Sequence, residues 1–231
     1  VAPAADAGMT GDPGDPGESA GAVDAAAAHL GELMRLAIAE RGRAHVALSG
    51  GGTGVLLYRA LVREKLDWTR VHLYQVDERV ARDDSPDRNA TALLRELVAR
   101  VPTRVENVHL MDVMAADLRV AAQAYADALP TLDAVHLGLG TDGHTASWPP
   151  DQPAVRTADA RVVVTLPFRG HRRMTLTQAG LADATALVWL VCGRDKREVL
   201  RRVLDGDETL PASHAVDERS VFFADDAAAG D

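Results

Sequence analysis

The chain has 231 residues, 47% of them hydrophobic but only 4% aromatic, and a formal net charge of −9. Length and apolar content are those of a folded globular protein with a sizeable core, and they exclude a collagen-like or wholly disordered polymer. No apolar run approaches the roughly eighteen residues of a membrane span, and no basic segment followed by an apolar stretch opens the chain, so no membrane partner is expected and the expected location is cytoplasmic. The single cysteine, Cys192, cannot form an intramolecular disulfide or a cysteine-based zinc site by itself. Acidity without clustered Lys and Arg speaks against a nucleic-acid partner.

The charge is unevenly placed. Residues 1–20 hold Asp6, Asp12, Asp15 and Glu18, residues 225–231 hold Asp225, Asp226 and Asp231, and neither end has a Lys or Arg. Seven of the nine excess negative charges therefore belong to the ends, and residues 21–224 carry about −2. The first twenty residues interleave Pro3, Pro13 and Pro16 with Gly8, Gly11, Gly14 and Gly17 and offer little apolar surface to offset the entropy of ordering, which predicts a disordered acidic leader. Residues 225–231 read as an acidic tail, leaving 21–224 as one domain.

From Ala22 the spacing becomes helical, with Leu30, Leu33, Met34, Ala37 and Ile38 on one face and Gly42 as a C-terminal stop. His45 to Leu48 reads as a buried strand, ending in the Gly-rich run 49–54, after which Val55 to Arg63 is helical. Val71 to Val76 is predicted as a strand, Asn89 to Arg100 and Asp117 to Leu129 as helices, and Ala134 to Gly138 as a strand. Further apolar or β-branched runs follow at Arg161 to Leu166, Leu187 to Cys192 and Ser220 to Ala224, with Asp195 placed to cap a helix over Val199, Leu200, Val203 and Leu204. Alternating apolar strands and amphipathic helices predict a single-domain α/β/α sandwich, Rossmann-like, around a parallel sheet. Ligands of such sheets bind beyond the carboxyl ends of the strands.

Three unusual segments follow directly on predicted strands. Ser49-Gly50-Gly51-Gly52-Thr53-Gly54 has the composition of a phosphate cradle or of a tight strand-to-helix turn, and lacks the Gly-Lys-Ser/Thr ending of a nucleotide P-loop. Asp77-Glu78-Arg79, continuing through Asp87 to Asn89, is either a solvated rim or an anion site built on Arg79. Gly138 to Ser147 formally matches G-x-G-x-x-G, but Trp148-Pro149-Pro150 stops the helix that a dinucleotide fold needs. What remains is Asp142 two residues before His144, which makes His144 the leading general-base candidate among eight histidines. His72 and His136 read as satisfied strand residues, His29 and His109 as surface positions. Asp142 and His144 alone are too few ligands for a metal, and no cofactor is implied. Arg173, before Met174-Thr175-Leu176-Thr177, and Lys196 complete the candidate cations.

Taken in order, Leu48-Ser49-Gly50-Gly51 with Thr53, Asp77-Glu78-Arg79, Asn89, the Gly138–Ser147 loop, Arg173 to Thr177, and Gly193 with Lys196 resemble the 6-phosphogluconolactonase family, within a group that includes glucosamine-6-phosphate deaminase. The likeness spans nearly all of residues 22–224. It implies hydrolysis of 6-phospho-D-glucono-1,5-lactone to 6-phosphogluconate in the oxidative pentose phosphate pathway, without metal or cofactor; a monomer is expected, though the sequence does not itself reveal the oligomeric state. His144 would be the base, assisted by Asp142. Ser49, Gly50, Gly51, Thr53, Asp77, Arg79, Asn89, Gly140, Arg173 and Lys196 would bind the substrate and its phosphate. The sequence departs from the family where Gly52 and Gly54 stand for a usual Ser and Pro, where Trp148-Pro149-Pro150 stands for Leu-Phe-Pro and alters the wall beside His144, and at Val80-Ala81 and Arg88-Asn89. The alternatives are a deaminase-like enzyme and a non-catalytic sugar-phosphate sensor. Thr145 to Pro150 lacks the carboxylate of the deaminases, and Arg79 follows Glu78 where they carry an aromatic.

Overall fold

The computed structural model describes residues 16–230. Its strands are β1 (Ala44–Leu48), β2 (Val71–Gln75), β3 (Asp77–Arg79), β4 (Val108–His109), β5 (Ala134–Leu137), β6 (Val162–Val164), β7 (Arg173–Leu176), β8 (Leu187–Val191) and β9 (Ser220–Ala224). The α-helices are α1 (Pro16–Arg41), α2 (Gly51–Leu61), α3 (Asn89–Glu96), α4 (Leu118–Ala128), α5 (Pro153–Arg156), α6 (Gln178–Leu181), α7 (Arg197–Leu204) and α8 (Asp226–Ala229). Six strands pair in parallel in the order β4-β2-β1-β5-β8-β9.

Side chains alternate across this sheet. Val46, Leu48, Leu73, Val188 and Leu190 pack under Leu30, Met34, Leu57, Leu61 and Leu93 of α1, α2 and α3. Tyr74, Val135, Leu137 and Trp189 face the other way, onto Tyr125 of α4 and Leu200 of α7. With both faces covered, these strands are apolar on both sides: β8 is apolar at every position, and β1 and β5 are apolar but for His45 and His136. The expected single-domain sandwich is the observed one.

A second, antiparallel sheet, β3-β7-β6, lies on the α4 side, its Met174 and Leu176 joining that core. β6 lies within the predicted run Arg161 to Leu166, whereas β3 is wholly polar and β7 half polar, and both are too short for any periodicity to announce them. Smaller differences have local causes. Gly51 to Gly54, expected as a loop, form the first turn of α2, and α3 stops at Glu96. The helix after β8 begins through a 3-10 turn, Arg194–Lys196, with Lys196 and not Asp195 at the cap. His109 lies in the edge strand β4, partly buried, with its ring stacked 4.3 Å from that of Tyr74. His29 is partly buried against Phe223.

The ends also differ from expectation. Helix α1 already runs from Pro16, so the boundary expected at residue 20 falls inside a helix; residues 1–15 and Asp231 lie outside the described residues. The acidic tail is instead helix α8, capped by a buried Asp225. The Asp225 carboxylate accepts hydrogen bonds from Ala228 N (2.8 Å), Gly193 N (3.0 and 3.1 Å) and Ser19 Oγ (2.7 Å). It thus ties the start of α1, the loop after β8 and the C-terminus together. Gly193 itself has φ +101, a conformation that favours glycine.

His136 of β5 is fully buried, and neither ring nitrogen has a hydrogen-bond partner, so it is a core histidine but not a satisfied one. Burial pushes its imidazole down to about 4.

Two outcomes follow from these buried polar groups. Asp225→Ala leaves the buried Gly193 N–H without its acceptor and removes the side-chain cap of α8, and should lower unfolding free energy by about 1–3 kcal/mol in urea titration; a loss under about 0.5 kcal/mol contradicts the tie. Because folding holds His136 neutral, its contribution is complete above the ordinary value of 6.5 and is lost as pH falls toward about 4. His136→Leu should therefore lose less stability than the unsubstituted chain between pH 7 and 4.5, by about 2–3 kcal/mol, and parallel losses would contradict it.

Candidate active site

The sheet has one topological switch point. Beyond β1 the chain winds out to β2 and β4, and from β5 it winds the other way to β8 and β9, leaving a crevice between the carboxyl ends of β1 and β5. The Gly-rich run leaves β1 there, the Asp142–His144 loop leaves β5, and Ser49 Oγ donates to the His136 carbonyl across the gap at 2.8 Å. Neighbouring β2 leads into Asp77-Glu78-Arg79 and neighbouring β8 into Gly193–Lys196. Four segments far apart in sequence meet on one end of the sheet.

The first of them opens helix α2. Its Gly50 cap supplies no side-chain hydrogen bond, and the first-turn N–H groups have no intrahelical partner, which is the arrangement that receives anions. Gly51 takes φ +79, and a Cβ on Gly50 would lie 2.1 Å from Asn89 Oδ1. At Gly54 a Cβ would come 2.4 Å from the Ser49 carbonyl, so the absence of a larger residue there is a packing requirement of this chain. The Ser49 hydroxyl is spent on His136, which leaves Thr53 as the partly exposed hydroxyl of the turn. Helix α3 offers no comparable end: the buried Glu78 carboxylate accepts from Asn89 N (2.7 Å) and Ala90 N (2.8 Å), and Arg88 Nε lies 3.0 Å from it. Glu78 is a structural cap.

Asp77 joins the segments. Its carboxylate, almost fully buried, accepts from Ser147 Oγ at 2.5 Å and Asn89 Nδ2 at 3.1 Å and lies 3.8 Å from Arg173 Nη1. Asn89 is held inward by this bond and against Gly50. Both Asp77 and Asn89 therefore position other groups. Arg79 and Arg173 stand directly opposite each other on β3 and β7. Like charges in register repel, and only part of that is answered by Asp77 and by the Asp87 carbonyl, which accepts from Arg79 Nη1 at 2.7 Å. Arg79 Nε is buried without a partner. Burial pulls the Arg173 guanidinium below its usual range, Asp77 opposes this, and Arg79 and Arg169 add to it. An anion bound between the two arginines would relieve the repulsion. Lys196, after β8, has its ammonium 3.4 Å from Asp195.

The β5 loop holds the titratable pair. Gly140 N donates to His144 O at 2.8 Å and Gly143, at φ +81, donates to Gly140 O at 2.9 Å, curling Asp142 back onto the ring of His144. Asp142 Oδ1 hydrogen-bonds His144 Nδ1. A Cβ on Gly140 would sit 2.0 Å from that nitrogen, so glycine is needed for the ring to lie there. Burial pushes the Asp142 carboxyl up, but the hydrogen bond and charge of His144, with Arg169, outweigh it and hold the carboxyl well below the usual carboxylate range. Ser147 N reaches Thr175 Oγ1 at 3.1 Å and Trp148 Nε1 reaches the Leu176 carbonyl at 2.7 Å, fastening the loop to β7.

Trp148 is thus a core anchor. The wall beside His144 is Phe168, whose ring meets the imidazole edge-on at 5.3 Å. Sequence reasoning missed Phe168 and Arg169, because both arrive on a hairpin of the second sheet. Cys192 is buried and its thiol is pushed up to about 11 by burial and by Asp225, which removes it as a nucleophile. Two hollows, of about 280 Å³ beside Trp148 and Arg219 and about 470 Å³ between Met114 and Arg172, carry no such constellation.

Comparison with known proteins identifies relatives of the whole fold. The chain is 37% identical over 178 residues to a 6-phosphogluconolactonase from Synechocystis, covering 72% of this chain and 74% of that one. It is 33% identical to one from Streptomyces coelicolor, covering 89% and 88%. The crystal structure of a 6-phosphogluconolactonase from Thermotoga maritima superposes with a TM-score of 0.80 at 28% identity, over 88% of this chain and 95% of that one. A monomeric glucosamine-6-phosphate deaminase, at 20% identity and a TM-score of 0.75, shares the fold. A family model for glucosamine-6-phosphate isomerases/6-phosphogluconolactonase matches residues 17–223. With a match of that extent and relatives above 30% identity, the chain belongs to the glucosamine-6-phosphate isomerase/6-phosphogluconolactonase family.

Proposed function

We propose that this protein hydrolyses 6-phospho-D-glucono-1,5-lactone to 6-phospho-D-gluconate, the second step of the oxidative pentose phosphate pathway. The observation that carries the reading is the Asp142–His144 pair, held at the switch point beside two facing arginines and a free helix N-terminus. The similarity to 6-phosphogluconolactonases supports it.

A δ-lactone is a reactive ester and needs neither a protein nucleophile nor a metal. Asp142 accepts from Nδ1–H of His144, which leaves the Nε2 lone pair to take a proton from water. That water adds to the lactone carbonyl, and the resulting oxyanion collapses by breaking the bond to the ring oxygen. The imidazolium returns its proton to that oxygen, so His144 ends as it began. Gly50, Gly51 and Thr53 at the first turn of α2, with Arg173 and Lys196, hold the phosphate. Arg79 adds positive charge to the phosphate and to the developing oxyanion. Ser49, Asp77, Asn89 and Gly140 position these groups. The deaminase alternative is disfavoured by Thr145 to Pro150, where no carboxylate follows His144.

Lactone decay followed with the spontaneous rate subtracted tests this directly. The protein should accelerate decay and release no ammonia from glucosamine 6-phosphate. His144→Ala should cut kcat by about 10²–10⁴ while leaving the melting temperature near its original value. Spontaneous-rate decay with the intact protein, or full turnover by His144→Ala, overturns the reading.

A further inference from the structure

Asp142 has a second partner besides His144. Arg169 Nη2 lies 3.0 Å from Asp142 Oδ2, the oxygen not used by the imidazole. Arg169 sits at the tip of a hairpin in which Phe168 N donates to His171 O at 2.8 Å and His171 N to Phe168 O at 3.3 Å. The two tip residues, Arg169 and Gly170, have φ +48 and +83, the paired left-handed conformation of a tight two-residue hairpin. A left-handed Gly is ordinary there, whereas a left-handed Arg is uncommon and is retained against a conformational cost. That conformation places the guanidinium on Asp142 while the preceding residue, Phe168, meets the imidazole of His144. Arg169 also lies over the Phe168 ring, its guanidinium carbon 5.4 Å from the centroid, with Arg173 on the same ring at 5.1 Å. One hairpin tip therefore touches both members of the catalytic pair.

We propose that Arg169 is a positioning residue that completes a chain His144–Asp142–Arg169 and sets the pH range in which His144 acts as base. This rests on the reading of His144 as the base. A carboxylate beside an imidazole stabilises its protonated form, which cannot accept a proton from water. An arginine on the far oxygen of the same carboxylate offsets that field while fixing the carboxylate plane, so the imidazole stays oriented and stays unprotonated to lower pH. Asp142 and Arg169 are the charged groups against the imidazole's own loop and the hairpin; Arg173 lies behind Phe168, with Asp77 and Arg79 as its charged neighbours on β3. None of these is a substitute, since none contacts the free oxygen of Asp142 as Arg169 does.

The test compares Arg169→Gln and Arg169→Lys with the unsubstituted protein. For Arg169→Gln the acid limb of the kcat/KM profile should move to higher pH, lowering the ratio of activity at pH 6 to that at pH 7.5 by roughly two- to fivefold, the size expected of a partly exposed charge pair. Arg169→Lys, which keeps the charge, should restore most of the ratio. NMR titration of the His144 imidazole without substrate should show the same ordering of midpoints. Superimposable profiles and midpoints, or an equal loss of rate at every pH, overturn the proposal. If the unsubstituted protein fails to hydrolyse the lactone, the functional reading fails, and the imidazole titration still decides the role of Arg169.

Discussion

One buried carboxylate, that of Asp77, holds the site together. It receives Ser147 from the β5 loop, Asn89 from the start of α3 and the charge of Arg173 from the second sheet, while Asn89 closes against Gly50 of the Gly-rich turn. Taking a carboxylate out of water is costly unless it is hydrogen-bonded and paired, and removing one partner of such a buried pair costs about 3–5 kcal/mol. Asp77 is stable in place only when all three neighbouring segments are present. The second sheet is therefore part of the site's construction, because β3 and β7 bring Asp77, Arg79 and Arg173 into register.

The same arrangement reconciles an acidic protein with an anionic substrate. The net charge of −9 suggests repulsion when taken as one number. Most of it belongs to the two ends, and at the sheet's carboxyl edge the facing pair Arg79–Arg173, the uncapped end of α2 and Lys196 give a local positive surface. The two buried carboxylates there are consumed by internal partners, Glu78 at the α3 terminus and Asp77 at its hub. Only Asp142 is committed to His144, and its remaining oxygen is covered by Arg169.

How much of this can be read from the chain follows from burial. Strands β1, β2, β5 and β8 are legible because both faces of a parallel sheet are covered and leave short, mostly apolar runs, interrupted only by His45, His72, Gln75 and His136. The Gly-rich turn and the Gly140–Gly143 curl are legible because close backbone approach and positive φ demand glycine. The strands β3 and β7 are not, since Asp77-Glu78-Arg79 resembles a solvated rim until its partner, nearly a hundred residues later, pairs with it. Long-range pairing has no local signal. The role of Glu78, eleven residues before the helix it caps, is hidden for the same reason. Asp225 reads in sequence as part of a charged tail, yet it is buried, with its carboxylate accepting from Gly193 N and Ser19 Oγ. Phe168 and Arg169 reach His144 and Asp142 only because a hairpin folds back over them.

The central claim is that these segments form one site with a phosphate end at α2 and a hydrolytic end at His144. A crystal structure with 6-phosphogluconate tests it most directly. The account predicts the phosphate against the N–H groups of Gly51 to Thr53 and within reach of Arg173 and Lys196, with the product carboxylate beside His144 Nε2. A phosphate bound at His144, or product bound away from the crevice between β1 and β5, would contradict it.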